Sequence, residues 1–326
     1  MDFSTSYMGL KIKNPLVVSS SGLTSSVKGI KKCEENGAGA VVLKSLFEEQ
    51  LLTDKSRLMN QDEMYFWYPE SMDYLDMFSK EEGIAAYLKL IEDAKKKVSI
   101  PVIASINCVS PKEWPAFAKK LEEAGADGLE LNIYIPPTNI DATGYKMEET
   151  YLDIVHEVRK NVEFPLAVKI GYFFTNIIRT LFRLGNTEIQ SLVLFNRYYR
   201  PDIDIEKLQL ISNNILSAPE EITQSLRWIA LMYEKVGCEL IAATGIHDYT
   251  GVVKQLLAGA SAVQLCSTLY KNGIEYLQTI SNDLENWMKQ KGYTSISNFR
   301  GLISKQEESK EHFERLQFMQ KTTGRF

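Results

Sequence analysis

Short apolar runs recur along the chain, and each ends on a polar residue. Val41-Val42-Leu43 ends at Lys44-Ser45, Val102 to Ile106 at Asn107, and Leu129-Glu130-Leu131 at Asn132. Leu166-Ala167-Val168 ends at Lys169, Leu192 to Phe195 at Asn196, and Ile241-Ala242-Ala243 at Thr244. Strands buried on both faces read as continuous apolar runs. The pattern predicts strands at 15–19, 40–44, 101–106, 128–132, 165–169, 191–195, 239–243 and 262–266. Helical periodicity fills the intervals, near 25–36, 82–97, 111–124, 147–161, 175–184, 220–236, 249–258 and 272–290. Eight strands, each followed by a helix, predict an α/β fold, a (β/α)8 TIM barrel. In that fold the C-terminal strand ends form the working rim. A hairpin-like piece from Thr5 to Lys13 precedes the first strand and is expected to plug or skirt the barrel bottom.

A weak internal repeat supports one barrel. Asn36-Gly37-Ala38, Ala124-Gly125-Ala126 and Ala258-Gly259-Ala260 each close a helix at glycine and lead through a short turn into a strand. Leu184-Gly185-Asn186 is expected to do the same. The whole chain, 1–326, reads as a single domain. A doubly wound open sheet is the rival, weakened because no G-x-G-x-x-G follows the first strand.

Three connections at the rim are too long to be plain loops. Phe47 to Lys80 is rich in aromatics and methionine and reads either as a ligand lid or as a satellite core or subunit interface. Ile133 to Lys146 and Arg197 to Pro219 are the others. Composition narrows the partners. A net charge of −5 favours neither nucleic acid nor an anionic membrane. No apolar run approaches the roughly 20 residues needed to span a bilayer. The first residues lack the basic start and apolar core of a signal peptide, so a cytoplasmic location is expected. Four scattered cysteines without a C-x-x-C pair read as reduced and mostly buried thiols, and no metal is expected.

The order and spacing of several segments resemble the dihydroorotate dehydrogenase family, especially its soluble class. They are Asn14-Pro15-Leu16 with Ser20-Ser21-Gly22, Ala38 to Ser45, Glu130-Leu131-Asn132, and Pro165 to Lys169. Gln255 to Ser261, Val263-Gln264-Leu265, and Lys291 to Gly301 continue the match over nearly the whole chain. The resemblance implies FMN at the top of the barrel and oxidation of dihydroorotate to orotate, a step of pyrimidine biosynthesis. It implies that Ser21 and Gly22 pass close to the flavin and that Lys44 and Ser45 lie by its ring. Lys169 would face the polar N1/O2 edge. Asn132 would contact flavin or substrate, and Asn196 the substrate, with Lys44 beside them. Thr244, Gly245, Cys266 and Ser267 would hold the phosphate. The chemistry asks for such groups independently. Reduced flavin carries negative charge near N1, which a fixed ammonium stabilises. A carboxamide both donates to and accepts from a pyrimidine edge.

The chain departs from the family at two places. The loop after the fourth strand reads Asn132-Ile133-Tyr134-Ile135-Pro136-Pro137-Thr138. Ile135 stands where soluble members have a cysteine base and membrane-bound members a serine. Tyr134 and Thr138 are the weak replacements, with Asp141 further along; Cys108 lies on another strand. At the phosphate end, Thr244-Gly245-Ile246 has one glycine where two are usual, and Asn213-Asn214 stands for another glycine pair. Arg197, just after Asn196, either pairs with a ligand anion or belongs to a solvated basic loop. His247 either touches ligand or is incidental, and His156 is expected at the surface. The leading expectation is an FMN oxidoreductase on a pyrimidine-like small molecule. A non-catalytic flavin- or metabolite-binding barrel is the main alternative, and a Schiff-base lyase using Lys169 ranks last. By family analogy the chain is expected to be a homodimer, with an electron-transfer partner subunit in one subclass.

Overall fold

The computed structural model describes residues 1–47, 80–108, 114–198, 201–211 and 215–306. The chain opens with an antiparallel hairpin, β1 (Thr5–Tyr7) against β2 (Leu10–Ile12). The barrel strands follow: β3 (Leu16–Val18), β4 (Ala40–Val42), a two-residue extension β5 (Leu46–Phe47), β6 (Val102–Cys108), β7 (Gly128–Ile133), β8 (Leu166–Ile170) and β9 (Ser191–Leu194). A second hairpin, β10 (Asp202–Asp204) with β11 (Gln209–Ile211), stands apart, and β12 (Glu239–Ala243) and β13 (Ala262–Leu265) complete the barrel. The described helices are α1 (Val27–Glu35), α2 (Lys80–Lys95), α3 (Trp114–Glu123), α4 (Gly144–Arg159), α5 (Ile177–Gly185), α6 (Ile222–Met232), α7 (Tyr249–Ala258), α8 (Ser267–Asn272) and α9 (Tyr276–Lys291).

Parallel pairing runs β3–β4–β6–β7–β8–β9–β12–β13 and returns to β3, which closes eight strands into the expected (β/α)8 barrel. Side chains alternate between two cores, as strand geometry requires. Val17, Val42, Ile103, Val193 and Ile241 face the barrel interior. Leu16, Val41, Val102, Leu129, Val168 and Leu192 face the helices.

The first hairpin does plug the barrel. Tyr7, Met8 and Ile12 are buried in the inner cluster. Gly128, the first residue of β7, makes room for them: a Cβ there would lie 2.9 Å from the Met8 methyl carbon and from the Pro165 carbonyl. The helix-closing repeat is real at Gly37, Gly125 and Gly259, each with φ between 90° and 113°. Gly185 differs. It is the last residue of α5, and its lack of a side chain leaves space for Val236.

Two elements depart from expectation. The helix expected over 272–290 is found as α9 but begins at Tyr276, because Gly273 takes φ 84° and closes a separate short helix, α8, that the pattern does not mark. The segment 197–219 carries the β10–β11 hairpin, too short and too exposed for an apolar run to mark it. The aromatic stretch of the first long connection, over 48–79, lies outside the described residues, as do Asn213-Asn214 and the side chain of Cys108.

Candidate active site

The polar strand ends converge at the C-terminal mouth of the barrel. The cross-strand register places Asn107 of β6 opposite Asn132 of β7, and Asn132 opposite Lys169 of β8. Just past β9, the Asn196 amide donates to the Ile170 carbonyl at 2.8 Å, which ties that end to β8. The Asn196 carboxamide then donates to Asn132 Oδ1 at 2.9 Å. Two amides are thereby locked in orientation at neighbouring points of the rim.

Lys169 is 6% exposed and sits over a buried polar network. Its Nζ donates to Gln264 Oε1 at 2.8 Å and to Ser19 Oγ at 3.1 Å, and lies 3.5 Å from Glu130 Oε1. Glu130 is completely buried; its other oxygen accepts a short hydrogen bond from Gln264 Nε2 and one from the Tyr7 hydroxyl at 3.4 Å. Burial and the Glu130 carboxylate push the Tyr7 phenol well above its ordinary range, so it remains a donor. The buried ammonium is therefore fixed from below by a carboxylate, a carboxamide and a hydroxyl.

On the adjacent side, Ser20, Ser45 and Ser105 form a chain of hydroxyls. Ser20 Oγ is 3.0 Å from Ser45 Oγ and accepts from the Ser45 amide, and Ser45 Oγ is 2.7 Å from Ser105 Oγ. Lys44 is half-buried where β4 gives way to β5. Ser21 is buried, its hydroxyl donating to the Ser19 carbonyl, and Gly22 starts a short 3-10 turn under Tyr270.

The end assigned by resemblance to the phosphate is built from β12, β13 and the approach to α6. Thr244 takes φ 71°, a costly conformation for a β-branched residue, and its hydroxyl donates to the Phe195 carbonyl at 3.0 Å. Gly245 follows with φ 78°. The Ser217 hydroxyl is approached by the Gly245 amide at 3.4 Å and by His247 Nε2 at 3.2 Å. The Ser217 amide donates to Ser267 Oγ at 2.9 Å, and Lys271 Nζ donates to the Ser217 carbonyl at 2.9 Å. Cys266 is partly exposed at the start of α8. The N-terminus of α7 is capped by Asp248, whose carboxylate accepts from the Gly251 amide.

These groups suit FMN. Amides and a fixed ammonium gather on one side of the rim, and one buried carboxamide hydrogen-bond donor there, Asn107 Nδ2, has no partner among the described residues. Hydroxyls, backbone amides, a lysine and a histidine gather at the other end.

Two outcomes can be checked here. A Cβ on Gly245 would lie 2.7 Å from Ile222 Cα in the backbone leading into α6. Gly245→Ala should therefore cost about 2–4 kcal/mol from overpacking plus left-handed strain, measured by denaturant unfolding. His247 is pulled below its ordinary pKa, first by burial and then by the Lys271 ammonium. The unfolded chain then binds a proton first as pH falls, so stability is lost from about pH 6.5 downward through the folded-state pKa. His247→Gln should flatten the dependence of melting temperature on pH in that window.

The loop after β7 shows what stands in place of a base. Ile135 is half-buried against the main core, and its amide approaches the Tyr151 hydroxyl at 3.4 Å. Tyr134 packs against Tyr198 with ring centroids 4.1 Å apart and planes tilted by 37°, and burial pushes its phenol up, the direction opposite to what a base requires. Thr138 and Asp141 are exposed on the loop. Tyr134, Tyr172, Phe195, Asn196, Tyr198 and Thr244 help line a cavity of about 170 Å³ at this part of the rim. Tyr198 fits because Gly171 beneath it has no side chain.

Arg197, considered above for a ligand anion, is engaged within the protein. Its Nε donates to both Glu221 oxygens, at 3.0 and 3.2 Å, and Nη1 donates to the Ile215 carbonyl. His156 is exposed on α4. Burial raises the thiols of Cys33 and Cys238 to about 11 and about 12, which leaves them inert.

The strand-end pattern does not single out Glu130, Gln264, Ser19, Tyr7, Ser217 or Lys271. A carboxylate within Leu129-Glu130-Leu131 and an amide within Val263-Gln264-Leu265 were the available signals, since an interior polar residue in an apolar strand needs a partner.

The family model described as dihydroorotate dehydrogenase matches residues 3–288. The catalytic subunit of dihydroorotate dehydrogenase B (NAD(+)) from Thermoplasma volcanium is 27% identical over 314 residues, 93% of this chain and 99% of that protein. The protein of the same name from Pyrococcus abyssi is 28% identical over 305 residues, covering 91% and 97%. That from Methanocaldococcus jannaschii is 26% identical over 297 residues, covering 89% and 94%.

Proposed function

The chain belongs to the dihydroorotate dehydrogenase family, and from that premise we propose that it is an FMN-dependent oxidoreductase acting on a CH–CH bond of a small pyrimidine-like ring. The observation that carries this reading is the rim itself, an Asn132–Asn196 amide pair beside a lysine fixed by Glu130, Gln264 and Ser19. When bound, FMN would supply the acceptor for a hydride. Lys169 would hold positive charge at the ring's polar edge, with its position set by the network beneath. Asn132 and Asn196 would orient the substrate by donating to and accepting from its ring. Ser217, Gly245, Ser267 and Lys271 would hold the phosphate.

Proton removal is the step for which the family's residue is replaced. Ile135 carries no acceptor, and the Tyr134 phenol is driven the wrong way. This supports a substrate other than dihydroorotate, or a second reading in which the barrel binds flavin or a metabolite without turnover. Anaerobic titration of the flavin-loaded protein with dihydroorotate separates these cases. Bleaching means that dihydroorotate is oxidised and that a base outside the usual position serves. Retained flavin colour across pH 6–10, a range taken from typical base pKa values of about 6 to 10, removes dihydroorotate as substrate. Turnover of any other small reductant would then exclude the non-catalytic reading.

The relatives' names describe a catalytic subunit, which supports extending the proposal to an electron-transfer partner. Among the described residues no helix is long and apolar enough to cross a membrane. A single 1–326 barrel working in the cytoplasm as a homodimer completes the reading. The exposed Ile203, Ile205, Leu208 and Leu210 of the β10–β11 hairpin support an association surface. Light scattering of the purified protein gives the mass that decides it.

A further inference from the structure

We propose that Asn107 is a ligand-binding residue, its carboxamide N–H donating to a carbonyl oxygen of the planar ring held at the barrel mouth. Along β6, Ala104 and Ile106 belong to the outer core and Ile103 to the inner one. Alternation therefore places Asn107 on the inner face, with Ser105, whose hydroxyl meets Ser45. Its register partner is Asn132, whose own partner across β8 is Lys169, so Asn107 extends the row of polar groups on the rim. Asn107 is 3% exposed, and its Nδ2 has no acceptor among the described residues.

A buried amide that donates to nothing gives up its hydration without return, and proteins rarely keep one. A bound acceptor resolves the cost. The neighbouring Asn196 carboxamide donates to Asn132 Oδ1, which shows that a carboxamide on this rim is oriented by a specific acceptor. The acceptor that fits is an exocyclic carbonyl of a flat heteroaromatic ring, a feature of both the isoalloxazine of FMN and a pyrimidine substrate. This inference deepens the flavin reading and rests on it for the choice of ligands.

The test compares wild type with Asn107→Ala and Asn107→Leu. Melting temperature is measured without ligand, and dissociation constants are measured for FMN by fluorescence quenching and for orotate by the perturbation of the flavin spectrum or by calorimetry. Because the orphaned donor is removed, Asn107→Leu should melt no lower than wild type, and Asn107→Ala reports the same loss if leucine is too large. Both should weaken one ligand by about 10-fold or more. A weaker FMN complex assigns the contact to the flavin, and a weaker orotate complex with unchanged FMN assigns it to the substrate. Unchanged affinity for both ligands in both variants overturns the proposal. Failure of the flavin reading looks different, because wild type itself would then bind no FMN; Asn107 would in that case be judged on orotate binding alone.

Discussion

Replacing Glu130 with alanine will remove about 3–5 kcal/mol of folding stability, the cost of leaving a buried charge without its partner. Glu130 is fully buried, and Lys169 is nearly so. The Lys169 ammonium would lose the carboxylate at 3.5 Å, while Gln264 and Tyr7 would lose a shared acceptor. Gln264 would still accept from Lys169, and Ser19 would still lie within hydrogen-bonding distance, so the lysine would keep neutral contacts but no counter-charge. Glu130→Gln keeps the shape and an acceptor oxygen and should cost less. A double variant, Glu130→Gln with Lys169→Met, should recover much of the loss, since exchanging a whole buried pair for apolar or neutral groups is often close to neutral. Urea unfolding of the four proteins gives the comparison. An alanine variant within 1 kcal/mol of wild type, the upper end for solvent-exposed pairs, would mean that water reaches this network and that Lys169 is not held as described.

Loss of the Lys169 ammonium will weaken FMN by about 2 kcal/mol or more, roughly 30-fold, the usual consequence of truncating one side of a buried charged contact. The single substitution Lys169→Met confounds this, because it leaves the buried Glu130 without its counter-charge. The clean comparison is therefore Glu130→Gln against Glu130→Gln with Lys169→Met, where the carboxylate charge is absent from both. If the two bind FMN equally, the ammonium serves the barrel core alone, and the reading of Lys169 as a flavin contact fails. If binding falls with the ammonium while stability does not, the network below β8 exists to position a charge rather than to hold the barrel together.

Much of the barrel was legible because burial on both faces writes apolar runs directly into the sequence. Val102 to Ile106, Leu166 to Val168 and Ile241 to Ala243 fall within β6, β8 and β12, and the glycines at 37, 125 and 259 mark real helix ends. Elements whose limits depend on tertiary packing were not. Gly273 splits α8 from α9 although the flanking residues keep a helical pattern, and the β10–β11 hairpin has no buried face to announce it. In the site, the polar strand ends identified which residues reach the rim, including Asn132, Lys169 and Asn196. They could not show what those side chains touch. Glu130 and Lys169 meet across two adjacent strands, and Arg197 and Glu221 meet across the whole segment containing the second hairpin. Such pairings follow from register and closure, which local pattern does not encode.

The replaced base and the retained rim ask different questions of the same mouth. Ile135 against the core bears on which bond is broken, whereas the amides and the lysine bear on what is held. Holding is measured most directly by an absorbance and fluorescence titration of the purified protein with FMN. Saturation at one flavin per chain, with flavin fluorescence quenched and weakened binding in the paired Lys169 variant, is the expected result. A colourless protein that leaves flavin fluorescence unchanged at a large excess of FMN would contradict it.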